Sequence, residues 1–411
     1  MKQLRESVTA VLLLLLLGCG ALLVLSKPQL LLQDFRSGFT DARPEAPSLP
    51  DRLSAAAAGV ESAVNKAVSR RTELITLYGG FQRLIGCEIV QDASQDNNVV
   101  RLKNGKLNFI ARDAARGDPS PNAAIINDFA AYARTLDIPT LFVLAPQKIS
   151  KYADQKPAGA VEFGNENSDR FLSLLTADVD TLDLRETFRD ADGGHDAYFF
   201  NTDHHWTSEG AFLGFQQIAA RLESGYSFPI DSKAADRARY ETTLYPALFL
   251  GSQGKRVGPW YAGKDDFALL LPREAADGYT FEIPHKGITR SGSFEDAFLF
   301  REMLDGSSPY TANPYVAYTG GDYPLSIAKN QNSTGGKKIL LLRQSFSCAL
   351  APFLSHACSQ LDIIDPRYFE GSIREYAAGT RPDLILIVYA ASDTCNEALF
   401  TPLADEIPEN P

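Results

Sequence analysis

Unbroken apolar runs of strand length, separated by stretches with helical periodicity, recur from about residue 120 to the end of the chain. The clearest are "IPTLFVLAP", "KKILLLR" and "LILIVYA". Strands of a parallel sheet have this pattern because helices cover both faces of the sheet. The sequence therefore predicts an α/β fold, a three-layer αβα sandwich with a mostly parallel central sheet. Ligands bind such sheets beyond the carboxyl ends of the strands, so functional residues are expected directly after a strand.

The other stretches predict how the chain is divided. Residues 1–27 are predicted to form a membrane anchor, and the proline-rich residues 28–50 a linker. Residues 51–118 combine helical spacing with the hairpin-like "KNGK" and predict a small N-terminal subdomain. The α/β domain is expected to cover residues 119–411, with a loop-rich insertion at about 225–336.

The N-terminus carries the clearest targeting signal. Residues 7–26 contain no charge and are long enough to cross ~30 Å of hydrocarbon as a helix. Lys2 and Arg5 precede this run, which favours a cytoplasmic N-terminus with the remaining chain exported. The expectation is a single-pass protein of a bacterial cell membrane, in contact with the bilayer through residues 7–26, whose folded domain is extracytoplasmic. Lipidation at Cys19 and ordinary cleavage of the segment remain open alternatives.

The charge balance restricts the class of partner. The chain has 40 basic and 51 acidic residues and a net charge of −11. Nucleic-acid surfaces need clustered lysine and arginine, so a nucleic-acid partner is not expected. A neutral or modestly polar partner fits this chain better.

Ser345 occupies a position where such sheets hold functional residues. It follows the apolar run "KKILLL" closely and stands where the next helix is expected to begin. A serine there is exposed to the positive end of the helix and is a candidate nucleophile. It is equally a preferred residue for capping a helix, and this residue alone does not decide between the two roles.

The stretch "NTDHHW" is the second candidate for chemistry. If it is extended, Asp203 and His205 share one face, while His204 and Trp206 share the other. An aspartate that accepts from one imidazole nitrogen leaves the other nitrogen free to take a proton. The pattern thus favours an acid–base pair at the entry of the following helix.

Two alternatives compete with the acid–base pair. One is a metal site formed by Asp203, His204 and His205, with His195 as a further ligand. Adjacent histidines of a strand point to opposite faces and no HExxH spacing is present, so we predict no metal. The other alternative is a structural turn in which these side chains only pack and cap.

Several segments resemble the bacterial DHHW family. They include "YFFNTDHHWTSEGA", "FVLAPQK", "YTGGDYP" and "ILLLRQSFSCALAPFL". This family is related to the alginate O-acetylation proteins of the AlgX and AlgJ type and belongs to the SGNH hydrolase-like superfamily. The resemblance extends over most of the chain after the predicted anchor.

The resemblance implies a catalytic triad of Ser345, His205 and Asp203. One departure is that the usual Gly-Asp-Ser block has Arg343 and Gln344 before the serine here. Six further residues are candidates for oxyanion stabilisation or substrate binding because they are glycines, aromatic or arginine side chains suited to sugars, or a candidate for the superfamily's asparagine: Gly320, Gly321, Trp206, Arg256, Trp260 and Asn396.

The activity that the resemblance implies is O-acyl transfer, with acetyl as the group that is expected to be transferred. The substrate would be a cell-envelope polysaccharide or an exopolysaccharide, no cofactor would be needed, and a membrane partner would supply the acyl group. A carbohydrate esterase with the same triad is the first alternative. A polysaccharide-binding or assembly protein without catalysis is the second.

Overall fold

The computed structural model describes residues 28–41, 49–67, 71–91, 97–111, 115–333 and 335–404. The chain forms two compact units, 1–77 and 78–411. Within the described ranges, no helix combines the length and the apolar character that crossing a membrane requires. The predicted anchor and Cys19 lie outside the described residues.

The described part of the smaller unit is helical. Helices α1 (Pro28–Asp41) and α2 (Leu49–Ala67) belong to it, and α3 (Arg71–Leu84) runs across the boundary at residue 77. Helix α1 falls in the segment predicted as a linker. Strands β2 (Asn97–Arg101) and β3 (Leu107–Ala111) flank "KNGK", where a hairpin is predicted. They form an antiparallel sheet with β1 (Ile89–Gln91) in the larger unit.

The larger unit is built around an eight-stranded sheet. Its strand order is β5-β4-β13-β11-β12-β10-β8-β9, and β6 and β7 form a separate pair. The strands are β4 (Thr140–Ala145), β5 (Val179–Asp183), β6 (Tyr240–Phe249), β7 (Asp265–Pro272), β8 (Tyr279–Ile283), β9 (Ile288–Gly292), β10 (Leu325–Asn330), β11 (Lys338–Arg343), β12 (Gln360–Ile364) and β13 (Leu384–Ala390).

The α-helices of this unit precede or follow the strands at short intervals. They are α4 (Ser120–Thr135), α5 (Gly164–Ser173), α6 (Arg185–Asp190), α7 (Ser208–Tyr226), α8 (Ser252–Val257), α9 (Pro259–Ala262), α10 (Phe294–Phe298), α11 (Ser347–Leu354), α12 (Ile373–Thr380) and α13 (Glu397–Phe400).

The five strands from β5 to β12 in the sheet order are parallel. Alternate residues of β11 enter the two cores, with Leu341 packing with α7 and α11, and Leu340 packing with α4 and α12. The prediction of an α/β fold with a mostly parallel sheet is confirmed. The apolar runs were informative because helices cover both faces, which leaves β13 buried at every position.

The segment 225–336 is richer in strands than predicted. Strands β10, β8 and β9 extend the central sheet in antiparallel pairing instead of forming loops. Their burial alternates from residue to residue, as in β10. Polar residues alternate with apolar ones in β8 (YTFEI) and are mixed with them in β9 (ITRSG) and β10 (LSIAKN), which weakens the strand signal in the sequence.

Candidate active site

Ser345 lies in the tight connection between β11 and α11, at the carboxyl end of a central parallel strand. The strand ends at Arg343 and the helix begins at Ser347, with Phe346 as the N-cap residue and no side-chain cap. The capping alternative for Ser345 is therefore wrong. Its hydroxyl is half-buried and available for other contacts.

The structure brings Asp203, His205 and Ser345 together, although 140 residues separate the histidine from the serine. His205 Nδ1 lies 2.5 Å from Asp203 Oδ1, and His205 Nε2 lies 2.8 Å from Ser345 Oγ. Because Nδ1 faces a carboxylate, it carries the proton, and Nε2 is left as an acceptor for the serine hydroxyl. This is the arrangement that prepares a serine for nucleophilic attack.

Asp203 is buried and held by three donors. Its Oδ1 also accepts from the His205 backbone N–H at 3.1 Å, and Oδ2 accepts from the Ser252 backbone N–H at 2.7 Å. Burial alone raises the pKa of Asp203, but the neighbouring His205 and His204 and these hydrogen bonds hold the pKa well below its usual value. The carboxylate therefore stays ionised and orients His205.

Asp265 holds the loop that carries Asp203 through hydrogen bonds to its backbone. This buried carboxylate accepts from the N–H groups of Asn201 and Thr202 at 2.7 and 2.8 Å. Gly251 approaches so closely that a Cβ on it would lie 2.2 Å from the Asp203 Cβ. These supports were not predicted from the sequence, because no local pattern connects residues 49 or more positions apart.

Two aromatic side chains donate hydrogen bonds that connect the loop of Asp203 and His205 to the turn that carries Ser345. Trp206 Nε1 and the Tyr315 hydroxyl donate to the Phe346 carbonyl at 2.9 and 2.7 Å. The Tyr315 ring also stacks on His205, with ring centroids 3.9 Å apart. Trp206 was predicted to contact substrate, but its side chain is completely buried. It positions the turn, and a substrate has no access to it.

His204 does not turn away from His205 as predicted. The two ring centroids are 3.8 Å apart, and His204 Nδ1 lies 3.0 Å from Ser252 Oγ. The extended conformation assumed for "NTDHHW" is wrong because the segment is a series of bends. Adjacent side chains can therefore lie on the same side.

The same bends bring together the ligand atoms of Asp203, His204 and His205, all within 4.8 Å of one another. Both ring nitrogens of His205 are, however, engaged by Asp203 and Ser345. A metal at this cluster would have to displace one of the two hydrogen bonds that link the triad.

Arg343 stands where the Gly-Asp-Ser block of the resemblance has its glycine. In this chain it forms a buried ion pair. Its guanidinium donates to Asp322 and lies 3.8 Å from Asp365 Oδ2. It also donates to the Gly321 carbonyl at 3.3 Å. These contacts anchor the end of β11 to the Gly321–Asp322 loop and explain how the turn before Ser345 is held without that glycine.

The glycines and the asparagine predicted to stabilise the oxyanion or bind substrate are Gly320, Gly321 and Asn396. The Gly320 N–H donates to the Val316 carbonyl at 2.7 Å, so it is not available as an oxyanion donor, contrary to the prediction. Its φ of +76° explains the glycine instead. Gly321 presents its carbonyl to Arg343. Asn396 is exposed and begins helix α13.

The predicted sugar-binding residues lie on two short helices. Arg256 is half-buried on α8, four residues after the Ser252 that binds Asp203. Trp260 on α9 is 62% exposed and covers Gly80, where an added Cβ would lie 2.9 Å from the indole. A packing role for Trp260 explains why a large aromatic residue occurs here.

A pocket of about 510 Å³ opens beside the triad. Its described lining combines aromatic rings, amide side chains and charged groups: Asn108, Phe109, Ile110, Ala111, Ala115, Gln147, Lys148, Val161, Glu162, Phe163, Gly164, Asn167, His204, Gln253, Phe346 and Ser392. His204 and Phe346 are the direct neighbours of the catalytic candidates in the chain. Of the predicted binding residues, Gly320, Gly321, Arg256, Trp260 and Asn396 are not part of this described lining.

Lys148, which follows β4, was not singled out from the sequence. It is buried, and its Nζ donates to the Leu107 carbonyl at 2.5 Å and to Gln253 Oε1 at 2.8 Å. Burial lowers the pKa of Lys148 to about 7, although Asp203 and Asp265 oppose the shift. Lys148 thus joins β3 to α8, and both elements line the pocket.

The comparisons with known proteins begin with the segment that carries Asp203 and His205. Residues 109–259, which include Asp203 and His205, match the family model described as the SGNH hydrolase-like domain of the acetyltransferase AlgX. This stretch is similar to an SGNH hydrolase-like domain. The resemblance that the sequence segments predict is thereby confirmed.

Solved structures extend the likeness of the fold to about three quarters of the chain. A DHHW family protein from Eubacterium siraeum has a TM-score of 0.60 at 16% identity, over 78% of this chain and 99% of that protein. PatB1 from Bacillus cereus, solved with a sulfonyl adduct, has a TM-score of 0.61 at 22% identity, over 74% and 98%. No curated protein sequence matches the chain.

Proposed function

We propose that this protein is an O-acyltransferase, with acetyl as the group transferred, that acts on a polysaccharide of the cell envelope or on an exopolysaccharide. The observation that carries the proposal is the continuous hydrogen-bonded series from Asp203 through His205 to Ser345. The series lies at the carboxyl edge of the parallel strands, beside a pocket large enough for a sugar unit.

In the first half-reaction, Ser345 Oγ attacks the carbonyl carbon of an acyl donor. Its proton passes to His205 Nε2, and Asp203 stabilises the resulting imidazolium. The tetrahedral intermediate then expels the donor's alcohol, which takes the proton from His205. An ester of Ser345 remains.

In the second half-reaction, a sugar hydroxyl gives its proton to His205 and attacks the Ser345 ester. Collapse of this intermediate releases the acylated sugar and returns the proton to Ser345. Hydrolysis differs only in that water replaces the sugar hydroxyl. An acyltransferase therefore depends on the pocket beside His204 to favour the sugar over water.

The comparisons support the type of reaction. The matching family model is described as that of an acetyltransferase, and the PatB1 structure contains a sulfonyl adduct. Sulfonyl fluorides modify serine hydroxyls that a neighbouring base activates. The hydrogen bond between Ser345 and His205 makes the same modification an expectation for this chain.

We also propose that the folded domain lies outside the cytoplasm, held at the membrane by residues 7–26 or released from it by cleavage. The uncharged run and the two preceding basic residues support this location. A membrane partner would then pass the acyl group to Ser345. A reporter that is active only after export, fused to the C-terminus, should be active; activity only of a cytoplasmic reporter would contradict the location.

The test of the activity uses the full-length protein and 4-nitrophenyl acetate as acyl donor. We expect a burst of 4-nitrophenolate, an added acetyl group on Ser345 in mass spectrometry, and labelling of Ser345 by phenylmethanesulfonyl fluoride. All three should disappear in Ser345→Ala. The matched control is Ser224→Ala, an exposed helix serine that donates only to the Ala220 carbonyl, which should behave like the wild type.

A second step separates transfer from hydrolysis. Oligosaccharides of neutral, N-acetylated and uronic acid sugars are added to the reaction, and acetylated products are measured against free acetate. Sugar esters that require Ser345 support the transferase. Release of acetate alone, with every acceptor, would reassign the protein as an esterase, and turnover that survives in Ser345→Ala would overturn the mechanism.

A further inference from the structure

The side chain of Gln344 lies directly against the nucleophile. It is only 4% exposed, and its Oε1 accepts from the Phe346 N–H at 2.9 Å and lies 3.0 Å from Ser345 Oγ. The backbone N–H of Phe346 requires an acceptor, so it determines which end of the amide is the oxygen. The orientation of the amide group is therefore defined by the hydrogen bonds around it.

The other end of this amide is unsatisfied. Gln344 Nε2 is buried and has no hydrogen-bond partner within the part of the chain that the structure describes. A buried donor without a partner costs about 1–3 kcal/mol. Native proteins keep few such groups, and one beside a nucleophile indicates a partner that arrives with the ligand.

We infer that Gln344 Nε2 donates a hydrogen bond to the oxygen of the acyl group as that oxygen becomes an oxyanion. The inference rests on the function proposed above. The acyl carbon must bond to Ser345 Oγ, and Nε2 is attached to the same carbon as the Oε1 that already touches this hydroxyl. An acyl oxygen therefore comes to lie next to the amide group during the reaction.

The chemistry of the position favours this role. An ionised carboxylate at this place could only accept hydrogen bonds and would repel a forming oxyanion. Glutamine offers two donor hydrogens at the same place. Since the Gly320 N–H is bound to Val316, Gln344 also supplies a donor that this glycine cannot.

Arg343 makes the donor rigid. Its ion pair with Asp322 and its hydrogen bond to Gly321 anchor the backbone immediately before Gln344. A donor that is held in place before the reaction stabilises a developing charge without reorganisation. Gln344 would thus act as a catalytic residue, and Arg343 as a residue that positions it.

Two substitutions separate the donor from the acceptor of this amide. Gln344→Glu has nearly the same shape and keeps an acceptor for the Phe346 N–H, but it loses the donor. Gln344→Met fills a similar volume and loses both. The burst rate with 4-nitrophenyl acetate and the Tm are measured for both variants, for the wild type and for Ser345→Ala.

If Nε2 stabilises the oxyanion, both variants should lose about 10²- to 10³-fold in the acylation rate, while the KM changes little. If only the acceptor matters, the glutamate variant should keep the wild-type rate, and the inference fails. Loss of activity only in Ser345→Ala therefore preserves the proposed function and removes this role of Gln344. Turnover that persists in Ser345→Ala removes both.

A measurement on the wild-type chain covers the case in which the variants do not fold. With ¹⁵N-labelled glutamine, one side-chain amide signal should move when phenylboronic acid adds to Ser345, and this change should be missing in Ser345→Ala. If no glutamine side-chain signal responds in a manner that depends on Ser345, the inference is wrong.

Discussion

Replacing Asp203 by asparagine should remove most of the activity while preserving the fold. Oδ1 of Asp203 accepts from His205 Nδ1 and Oδ2 accepts from the Ser252 N–H at 2.7 Å. An amide has a single oxygen, and the Ser252 N–H can keep it. The amide nitrogen then faces His205 Nδ1 and favours the tautomer with its proton on Nε2, which cannot accept the proton of Ser345.

Loss of the correct tautomer in a serine triad lowers kcat by about 10⁴-fold. At 1.36 kcal/mol for each factor of ten, this corresponds to about 5.4 kcal/mol of transition-state stabilisation. The assay is 4-nitrophenolate release under saturating substrate, and the KM should change little because Asp203 is buried behind the histidine. The control is Asp190→Asn, an exposed carboxylate paired with Arg189. A loss of less than tenfold in folded Asp203→Asn would refute the role of Asp203 in orienting His205.

Four further predictions concern the support of the site. Arg343→Met should lower the free energy of unfolding in urea by about 3 kcal/mol, because it leaves the buried carboxylate of Asp365 with one partner fewer; an unchanged value would contradict the ion-pair argument. Gly251→Ala should reduce kcat about 100-fold by displacing Asp203, whereas an unchanged kcat would show that the loop accommodates the methyl group without moving Asp203. Because its folded pKa is depressed, Asp203 stabilises the fold above about pH 4 and loses this contribution as the pH falls through the folded pKa. The free energies of unfolding in urea of wild type and Asp203→Asn should therefore approach each other as the pH falls below about 4, and a constant difference would contradict this. Treatment with EDTA should leave turnover unchanged because both His205 nitrogens are already bound, and activity that zinc restores after chelation would reassign the cluster to a metal.

The centre of the parallel sheet was predictable because β4, β11 and β13 are apolar at nearly every position. Strands β4, β11 and β13 lie between two layers of helices. Both of their faces are buried, and their sequences are therefore runs of apolar residues. The antiparallel strands β8, β9 and β10 were not predicted. These strands are only partly buried, and polar residues are mixed with their apolar ones. Their sequences therefore resemble those of polar loops.

The site was predictable where a short motif holds the chemistry, as for Asp203 and His205. Its supports were not, since Tyr315, Ser252 and Asp265 reach the motif through contacts between distant segments. The side-chain direction of His204 was predicted wrongly because a period of two holds only for a strand, and this segment bends. The neighbouring Asn201, Thr202 and Asp203 are residues typical of turns, and this signal was outweighed in the extended interpretation.

The separation of 140 residues between His205 and Ser345 links activity to the completion of folding. Contacts between distant segments form only after the intervening chain has been ordered, because closing a long loop has an entropic cost. A chain that is still unfolded has a serine and a histidine but no reactive pair. A reagent that titrates Ser345 therefore counts only the molecules whose central sheet is complete, and it can measure the yield of refolding directly.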